Sequence, residues 1–303
     1  KKRQNPHANL VYTENNMSIV RKEINGMPMM LNLADGGISH ALYSNGIREA
    51  AFMAIMNESV TEGMTCIDLG ANIGYATLLM LKNVGASGIV YAIEPDPTNI
   101  KLLEPNIELN NFKETCELNE IAMTNYDGDL SFWQSSRPNC SSVLKTDSSV
   151  SEIKVPCYTL NTFLSDRKYP NFIKMDIEGH ETQVFEGGLE YFKDNNEGET
   201  NILLEVHPQY YGENNDFARI LKEYFKIGFK PKYVISTPVP QPKLFKEKGY
   251  EPFQTIHTDG VYRGLYDNIS NDDLIEFACK ENLENTGTKT SKKIVRSFMI
   301  QRK

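Results

Sequence analysis

The chain of 303 residues is 40% hydrophobic and 24% charged, which is typical of a globular, enzyme-sized domain and not of a disordered chain. Its formal net charge of −8 opposes binding to a phosphate backbone, so nucleic acid is a disfavoured partner. The five cysteines are too far apart for a zinc or dithiol site, and no apolar segment is long enough to span a bilayer, so we expect a soluble, cytoplasmic protein.

From residue 64 onwards, short apolar runs alternate with helical patterns, which predicts an α/β fold with stacked β-α-β units over a mostly parallel sheet. The predicted strands are 64–69, 89–94, 115–123, 152–160, 171–177, 201–206, 230–236 and 292–301, and the predicted helices are 73–83, 97–110, 180–193 and 216–228. Pro105 predicts a kink or an early end of the second helix. The Tyr126-Asp-Gly128 turn predicts a hairpin that includes residues 129–134, before a serine-rich loop over 135–150.

These patterns divide the chain into a core with two attachments. About 55 residues are too many for a bare connection in a compact domain, so the segment before the last strand is predicted to be a cap insertion. Its aromatic residues form either a satellite core or a surface that stacks on a substrate. Because the chain begins with Lys1, we also expect it to be part of a longer polypeptide. The predicted parts are the N-terminal extension 1–60, the core 61–237, the cap insertion 238–292 and the last core strand 293–303.

The segment CIDLGANIGYATLL, residues 66–79, joins a predicted strand to a predicted helix. Gly70 and Gly74 allow a tight turn and close approach of a ligand, and the amides at the helix start favour an anionic group. The spacing is not that of the three-glycine dinucleotide fingerprint, which argues against a dehydrogenase. A carboxylate at Asp68 repels a pyrophosphate but attracts an ammonium or sulfonium group. The sequence therefore predicts a ligand that carries positive charge.

Glu94 ends the next predicted strand, 26 residues after Asp68. An acidic residue at about this distance from a glycine turn accepts hydrogen bonds from both ribose hydroxyls and repels a 2′-phosphate. Taken alone, either acidic residue could be a turn or cap residue. Together with the glycines, Asp68 and Glu94 predict S-adenosylmethionine and not a nicotinamide.

A second charged cluster follows the predicted strand 171–177. Asp176 and Glu178 should edge the cleft at the carboxyl end of the sheet. Glu181 suits a helix N-terminus, and His180 is expected to be an exposed residue of the first turn.

The next predicted strand ends at Glu205 and His207, which either form a structural pair or take part in chemistry. Methyl transfer to an alcohol needs a group that accepts the hydroxyl proton, and a histidine that titrates near neutrality can do so. His207 is the leading candidate for this general base, oriented by Glu205, and Asp176 is the second.

Four segments, IDLGANIGYATLL, IEPDPTNIKLLEPNIELNN, FIKMDIEGHE and ILLEVHP, resemble in order and spacing the motifs of the FkbM-type methyltransferases. The resemblance covers about residues 30–237 and resumes at KKIVRSFMI. It implies S-adenosylmethionine as cofactor and the class I Rossmann-like fold, with seven strands of which the last is antiparallel. It also implies O-methylation of a hydroxyl on a sugar, a glycan or a small metabolite.

The candidate site residues form overlapping sets. The predicted catalytic residues are His207, Asp176, Glu205 and Glu178. The predicted cofactor contacts are Asp68, Gly70, Ala71, Asn72, Gly74, Tyr75, Glu94, Pro95, Ala122 and Asp176. A Mg²⁺ ion that holds the acceptor hydroxyls is an alternative, with Asp176, Glu178, Glu205 and His207 as ligands.

Two other functions stay open at this point. An RNA methyltransferase is disfavoured by the charge and by the missing Asn-Pro-Pro-Tyr type of signature for exocyclic amines. A non-catalytic cofactor-binding or scaffold domain of a larger protein is disfavoured because the acidic residues at 68, 94, 176 and 205 are all intact.

Overall fold

The computed structural model describes residues 9–14, 17–135, 140–196, 198–285 and 290–303. In this part of the chain, strands and helices alternate around one large sheet. The helices are α1 (Ile38–Asn45), α2 (Ala50–Ser59), α3 (Tyr75–Val84), α4 (Pro97–Leu109), α5 (Leu160–Leu164), α6 (Glu181–Asp194), α7 (Phe217–Lys226), α8 (Lys243–Glu247) and α9 (Asn271–Ala278). The strands are β1 (Asn9–Glu14), β2 (Met17–Ile24), β3 (Met27–Asn32), β4 (Thr65–Leu69), β5 (Ile89–Ile93), β6 (Cys116–Asn119), β7 (Ala122–Met123), β8 (Gly128–Ser135), β9 (Ser149–Tyr158), β10 (Phe172–Met175), β11 (Thr200–Glu205), β12 (Lys230–Ser236), β13 (Gln254–Thr258), β14 (Val261–Tyr266), β15 (Glu284–Asn285), β16 (Thr290–Ser291) and β17 (Val295–Arg302).

The large sheet has the strand order β13-β14-β12-β17-β11-β10-β4-β5-β6. Strands β11, β10, β4, β5 and β6 pair in parallel, and β17 lies antiparallel between β11 and β12. Every residue of β4, β10 and β11 is buried, as expected for strands that are covered by helices on both faces. The predicted α/β, Rossmann-like fold with an antiparallel last strand is confirmed.

The sheet has nine strands where the family resemblance implies seven, because β13 and β14 of the insertion lengthen it beyond β12. Within the insertion, the rings of Phe245 and Phe277 stack at 4.2 Å and Tyr266 packs edge-on against Phe245. These rings belong to the same hydrophobic core as Val234 and Phe298 of the large sheet, so they do not form a separate satellite core. Phe253 and Tyr262, in contrast, are 51% and 58% exposed.

Two local expectations differ from the structure, namely the hairpin of residues 129–134 and the early end of the helix at Pro105, while the alternative of a kink at Pro105 stays a prediction. Strand β8 pairs with β9 across the serine-rich loop, and not with residues 115–123, because those residues split between β6 in the large sheet and β7 in a separate three-stranded sheet. Helix α4 continues past Pro105 to Leu109, because Leu103 and Ile107 stay buried on either side of the proline.

The N-terminal strands attach to the large sheet through α4. The side-chain oxygen of Asn106 accepts a hydrogen bond from the Met30 amide at 2.6 Å, and its nitrogen donates to the Ile73 carbonyl at 2.8 Å. This attachment places the turn between α1 and α2 close to the edge where β4, β5, β10 and β11 end. No helix among the described residues is long and apolar enough to cross a membrane.

Candidate active site

A cleft of about 1120 Å³, open mouth included, lies at the carboxyl ends of β4, β5, β10 and β11. Its floor is the glycine turn after β4, and apolar side chains on one side face acidic ones on the other. The turn between α1 and α2 and the loop after β8 complete the walls. The residues that line it from these two segments are Arg48, Glu49, Phe52, Met53, Ser141 and Val143.

The glycine turn has a backbone that only glycine fits at residue 70. Gly70 has φ of 79°, and a Cβ atom there would lie 2.1 Å from the Asp176 carbonyl oxygen. The amides of Gly70 and Ala71 both donate to the Ile93 carbonyl at 3.0 Å, which ties the turn to β5. Gly74, with φ of 97°, precedes α3 and packs against α4 beneath the cleft. Of the predicted turn residues, Gly70, Ala71, Asn72 and Tyr75 line the cleft.

We expect Gly70→Ala to lower the free energy of unfolding by at least about 1–3 kcal/mol, because the left-handed backbone becomes strained and the Asp176 carbonyl has to move. Urea unfolding monitored by circular dichroism measures this change. Gly36→Ala is the matched control, since nothing lies within 4 Å of a Cβ atom there. An equal effect of the two substitutions would contradict the prediction.

Glu94 lies where the sequence predicts a ribose-binding carboxylate. It accepts hydrogen bonds from the amides of Asn72 and Asp96 at 2.7 and 2.9 Å and from the Asn99 side chain at 3.1 Å. Burial raises the pKa of Glu94 to about 7. Because these bonds fix the carboxylate at the cleft wall, its orientation is set before any ligand binds. The neighbouring Pro95 and Ala122 also line the cleft.

The expectation that Asp68 faces the ligand is wrong. Its side chain is fully buried beneath the cleft, where it lies 3.0 Å from the Lys174 Nζ and accepts a hydrogen bond from the Thr77 hydroxyl at 2.6 Å. Lys174 in turn donates to the Gly70 carbonyl at 2.7 Å. Asp68 therefore holds the lysine that fixes the glycine turn, one layer away from the cleft.

Asp176 and Glu178 edge the cleft, as predicted, directly after β10. Both carboxyls are partly desolvated, and burial raises the pKa of Asp176 to about 6 and that of Glu178 to about 7. The negative charge of Glu205 adds to the shift of Asp176, and that of Asp176 to the shift of Glu178. These two groups therefore combine access to the cleft with pKa values near neutrality.

His207 does not line the cleft, which contradicts its predicted role as general base. Its ring is 4% exposed, its Nδ1 lies 2.9 Å from Glu181, and its Nε2 lies 3.5 Å from both Glu178 and Glu205. Although burial opposes the charged form, the three carboxylates raise the pKa of His207 to about 9. An imidazolium cannot accept a proton, so His207 serves to hold these acidic side chains in place.

Glu181 begins α6, as the sequence predicts, and its carboxylate accepts hydrogen bonds from the Gly179 amide and the Tyr211 hydroxyl, both at 3.0 Å. The prediction for His180 is wrong, because this residue is 9% exposed and its Nε2 lies 2.9 Å from the Thr124 hydroxyl. Burial lowers the pKa of His180 to about 4, so the ring is neutral.

Glu205 reaches the cleft but is held by cations that the sequence analysis missed. Its Oε1 accepts hydrogen bonds from Lys293 at 3.0 Å and contacts Arg296 at 2.5 Å. Burial opposes ionisation, but these cations lower the pKa of Glu205 to about 2. Arg296 also lies 3.0 Å from Glu49, which joins the last strand to the turn before α2. The single charge within the apolar segment IVRSFMI was the signal that could have found Arg296.

The carboxylates could in principle bring three ligand atoms within 4.8 Å of one another, either from Asp176, Glu178 and His207 or from Glu49, Asp176 and Glu205. The charges do not fit Mg²⁺, however. Arg296 and Lys293 already neutralise Glu205, and the His207 ring is held by Glu181. The residues present therefore do not fit a magnesium site.

The insertion 238–292 lies beside the cleft and does not cover it, since none of its described residues lines the cleft. The family model for the "Methyltransferase FkbM domain" matches residues 68–231, more than half of the chain, and contains the glycine turn, Glu94 and the acidic cluster. The chain belongs to the FkbM methyltransferase family.

Solved structures with similarity to this FkbM-family chain include three methyltransferases of low sequence identity. Methyltransferase FkbM from Methylobacillus flagellatus KT is 17% identical with a TM-score of 0.40, over 69% of this chain and 44% of that one. TYW2 from M. jannaschii, in complex with AdoMet, is 15% identical with a TM-score of 0.42, over 97% and 90%. The O-methyltransferase from Bacillus cereus, in complex with SAH, is 12% identical with a TM-score of 0.39, over 72% and 80%. None of the curated proteins matches the chain.

Proposed function

We propose that this FkbM-family methyltransferase methylates a hydroxyl group of a sugar, a glycan or a small metabolite, with S-adenosylmethionine as methyl donor. The main support is the position of Asp176, which lines the cleft and whose carbonyl touches Gly70 of the glycine turn. The carboxylate of Asp176 therefore shares the cleft with any ligand that binds on the glycine turn. We also propose the cytoplasm as its location, as the composition predicts.

The residues present fit S-adenosylmethionine. Gly70 lets the glycine turn pack directly against the Asp176 carbonyl, which shapes the turn that lines the cleft, and Glu94 presents a fixed acceptor for ribose hydroxyls. Apolar side chains form a wall that suits an adenine ring. The residues of this wall are Ile121, Ala122, Met123, Phe132 and Val143. When bound, the cofactor supplies a methyl group that its sulfonium has already activated.

Asp176 accepts the proton that the acceptor hydroxyl gives up. Asp176 lines the cleft, and its buried Oδ1 atom has no hydrogen-bond partner within the described part of the chain, so that oxygen is not committed to a structural hydrogen bond. With a pKa of about 6, Asp176 is ionised at neutral pH yet basic enough to assist the transfer. Glu178 lies further out, towards His207, and orients the acceptor. Positioning the hydroxyl oxygen contributes much of the rate enhancement.

The cofactor is tested by calorimetry with S-adenosylhomocysteine. We expect the wild-type chain to bind it and Glu94→Gln to bind it at least about tenfold more weakly, because hydrogen bonds to a charged group contribute about 1.5–3 kcal/mol. Glu104→Gln, an exposed position on α4, is the matched control and should bind like the wild type.

The acceptor is tested by transfer of a labelled methyl group to a panel of mono- and oligosaccharides, compared with RNA. Label in a sugar ether supports the proposal, and label only in RNA refutes it. If the wild-type chain does not bind S-adenosylhomocysteine, the non-catalytic scaffold alternative is favoured instead.

A further inference from the structure

A small side pocket adjoins the cleft at its end near the insertion. This side pocket, of about 210 Å³ with its open mouth included, shares part of its lining with the cleft and extends towards β14. The residues that matter for its chemistry are Glu49, Phe52, Thr258, Arg263, Arg296 and Ser297. Glu49, Phe52 and Arg296 also line the cleft, so the side pocket directly adjoins it.

Arg263 on β14 brings a positive charge into the side pocket without a carboxylate partner. Its guanidinium donates to the Thr237 hydroxyl, and no described carboxylate lies within ion-pair distance of it. Burial and the neighbouring charge of Arg296 lower the pKa of Arg263. Arginine at a desolvated site is normally paired with an anion, with which it forms two parallel hydrogen bonds.

Ser297 on β17 is the second residue that points to a ligand-binding role for the side pocket. The side chain is 1% exposed, and its Oγ has no hydrogen-bond partner in the described part of the chain. A buried hydroxyl without a partner costs about 1–3 kcal/mol, so such groups are rare unless something binds to them. Because Ser297 and Arg263 line the same pocket, both can donate hydrogen bonds to one acceptor group.

The acidic side chain in the side pocket is already neutralised. Glu49 lies 3.0 Å from Arg296 and 3.4 Å from the Nε of Arg48. Asp259, at the tip of the hairpin, accepts hydrogen bonds from the Glu49 amide and from the Thr258 hydroxyl. Arg263 is attracted by the charges of Asp259, Glu205 and Glu49 but contacts none of these carboxylates, so an incoming anion can pair with it directly.

We propose that the side pocket binds a carboxylate of the acceptor, so that the substrate is an acidic sugar or a hydroxy acid. This inference rests on the proposed function. A carboxylate has the planar shape and the two acceptor oxygens that Arg263 and Ser297 can satisfy together. The occupant belongs to the acceptor and not to the cofactor, because none of the residues expected to hold the cofactor lines the side pocket.

The test uses the full chain saturated with S-adenosylhomocysteine and measures the binding of matched pairs by calorimetry. The pairs are methyl glucuronide with methyl glucoside, methyl galacturonide with methyl galactoside, and glycerate with glycerol. In at least one pair, we expect the acid to bind at least about tenfold more tightly than its neutral counterpart. We expect Arg263→Gln to remove this preference, Arg263→Lys to keep part of it, and Ser297→Ala to reduce it.

Two controls separate the possible outcomes. Arg21→Gln, at an exposed position on β2, should leave the preference unchanged. The affinity for S-adenosylhomocysteine should be the same in Arg263→Gln and the wild type. If that affinity falls, the charge serves the cofactor and the inference is overturned.

Equal or weaker binding of the acid in every pair, by a protein that does bind S-adenosylhomocysteine, also overturns the inference and leaves the proposed function intact. Failure of the wild type to bind S-adenosylhomocysteine overturns the proposed function and, with it, this inference.

Discussion

Asp176→Asn should lower kcat for methyl transfer by about 10²- to 10⁴-fold, which is the usual contribution of a general base. The amide is close in size to the carboxylate but cannot accept the hydroxyl proton. We expect the affinity for S-adenosylhomocysteine to change by less than about threefold, because the loss falls on the chemical step. Single-turnover transfer of a labelled methyl group measures the rate, and calorimetry measures the affinity.

The pH profile tests the same assignment independently. Because Asp176 accepts a proton only when it is ionised, the wild-type kcat/KM should rise with pH up to about 6 and then level off. Asp176→Asn should lose this rise.

Asp166→Asn is the matched control for Asp176→Asn, since Asp166 is paired with Arg167 at the surface and lies outside the cleft. If Glu178→Gln lowers kcat more than Asp176→Asn does, Glu178 is the base and the assignment made here is wrong.

Lys174→Met should lower the free energy of unfolding by about 3–5 kcal/mol, because it leaves the carboxylate of Asp68 buried without its cation. Lys174 is itself almost fully buried, and although burial opposes its charge, Asp68 raises its pKa. The substitution also removes the hydrogen bond to the Gly70 carbonyl, so binding of S-adenosylhomocysteine should weaken as well. Urea unfolding, with comparison of midpoint and slope, measures the change.

The double variant Lys174→Met/Asp68→Asn should recover part of the lost stability, since the neutral amide no longer needs a cation. Lys193→Met breaks the exposed pair with Glu190 and should leave the unfolding midpoint unchanged. If Lys174→Met unfolds at the same urea concentration as Lys193→Met, the buried pair does not stabilise the fold.

The sequence predicts several residues that line the cleft near the glycine turn, because the signals for them are local. Gly70, Asn72 and Glu94 each follow directly from the end of a strand, and parallel strands bring their carboxyl ends together. Asp68 could not be placed in the same way. Strand β4 is covered on both faces, so it has no polar and apolar alternation to show which side chains point away from the cleft.

The acceptor side depends on contacts between distant parts of the chain. Glu49 and Arg296 are 247 positions apart, and no local pattern predicts that they form an ion pair. The pKa of His207 likewise depends on carboxylates outside its own strand end, since Glu178 and Glu181 come from the segment after β10. The position of a histidine at the end of a strand therefore does not predict its protonation state, which depends on the charges around it.

Strand β17 is the last strand in the chain and yet lies inside the sheet, between β11 and β12. During synthesis, the edges of β11 and β12 that pair with β17 therefore stay unpaired until residues 295–302 have left the ribosome. Open edges of this kind attract other chains, so this is the stage at which the nascent protein is most prone to aggregate. Because β17 also carries Arg296 and Ser297, its insertion brings these residues to the cleft and the side pocket in the same event that closes the gap in the sheet.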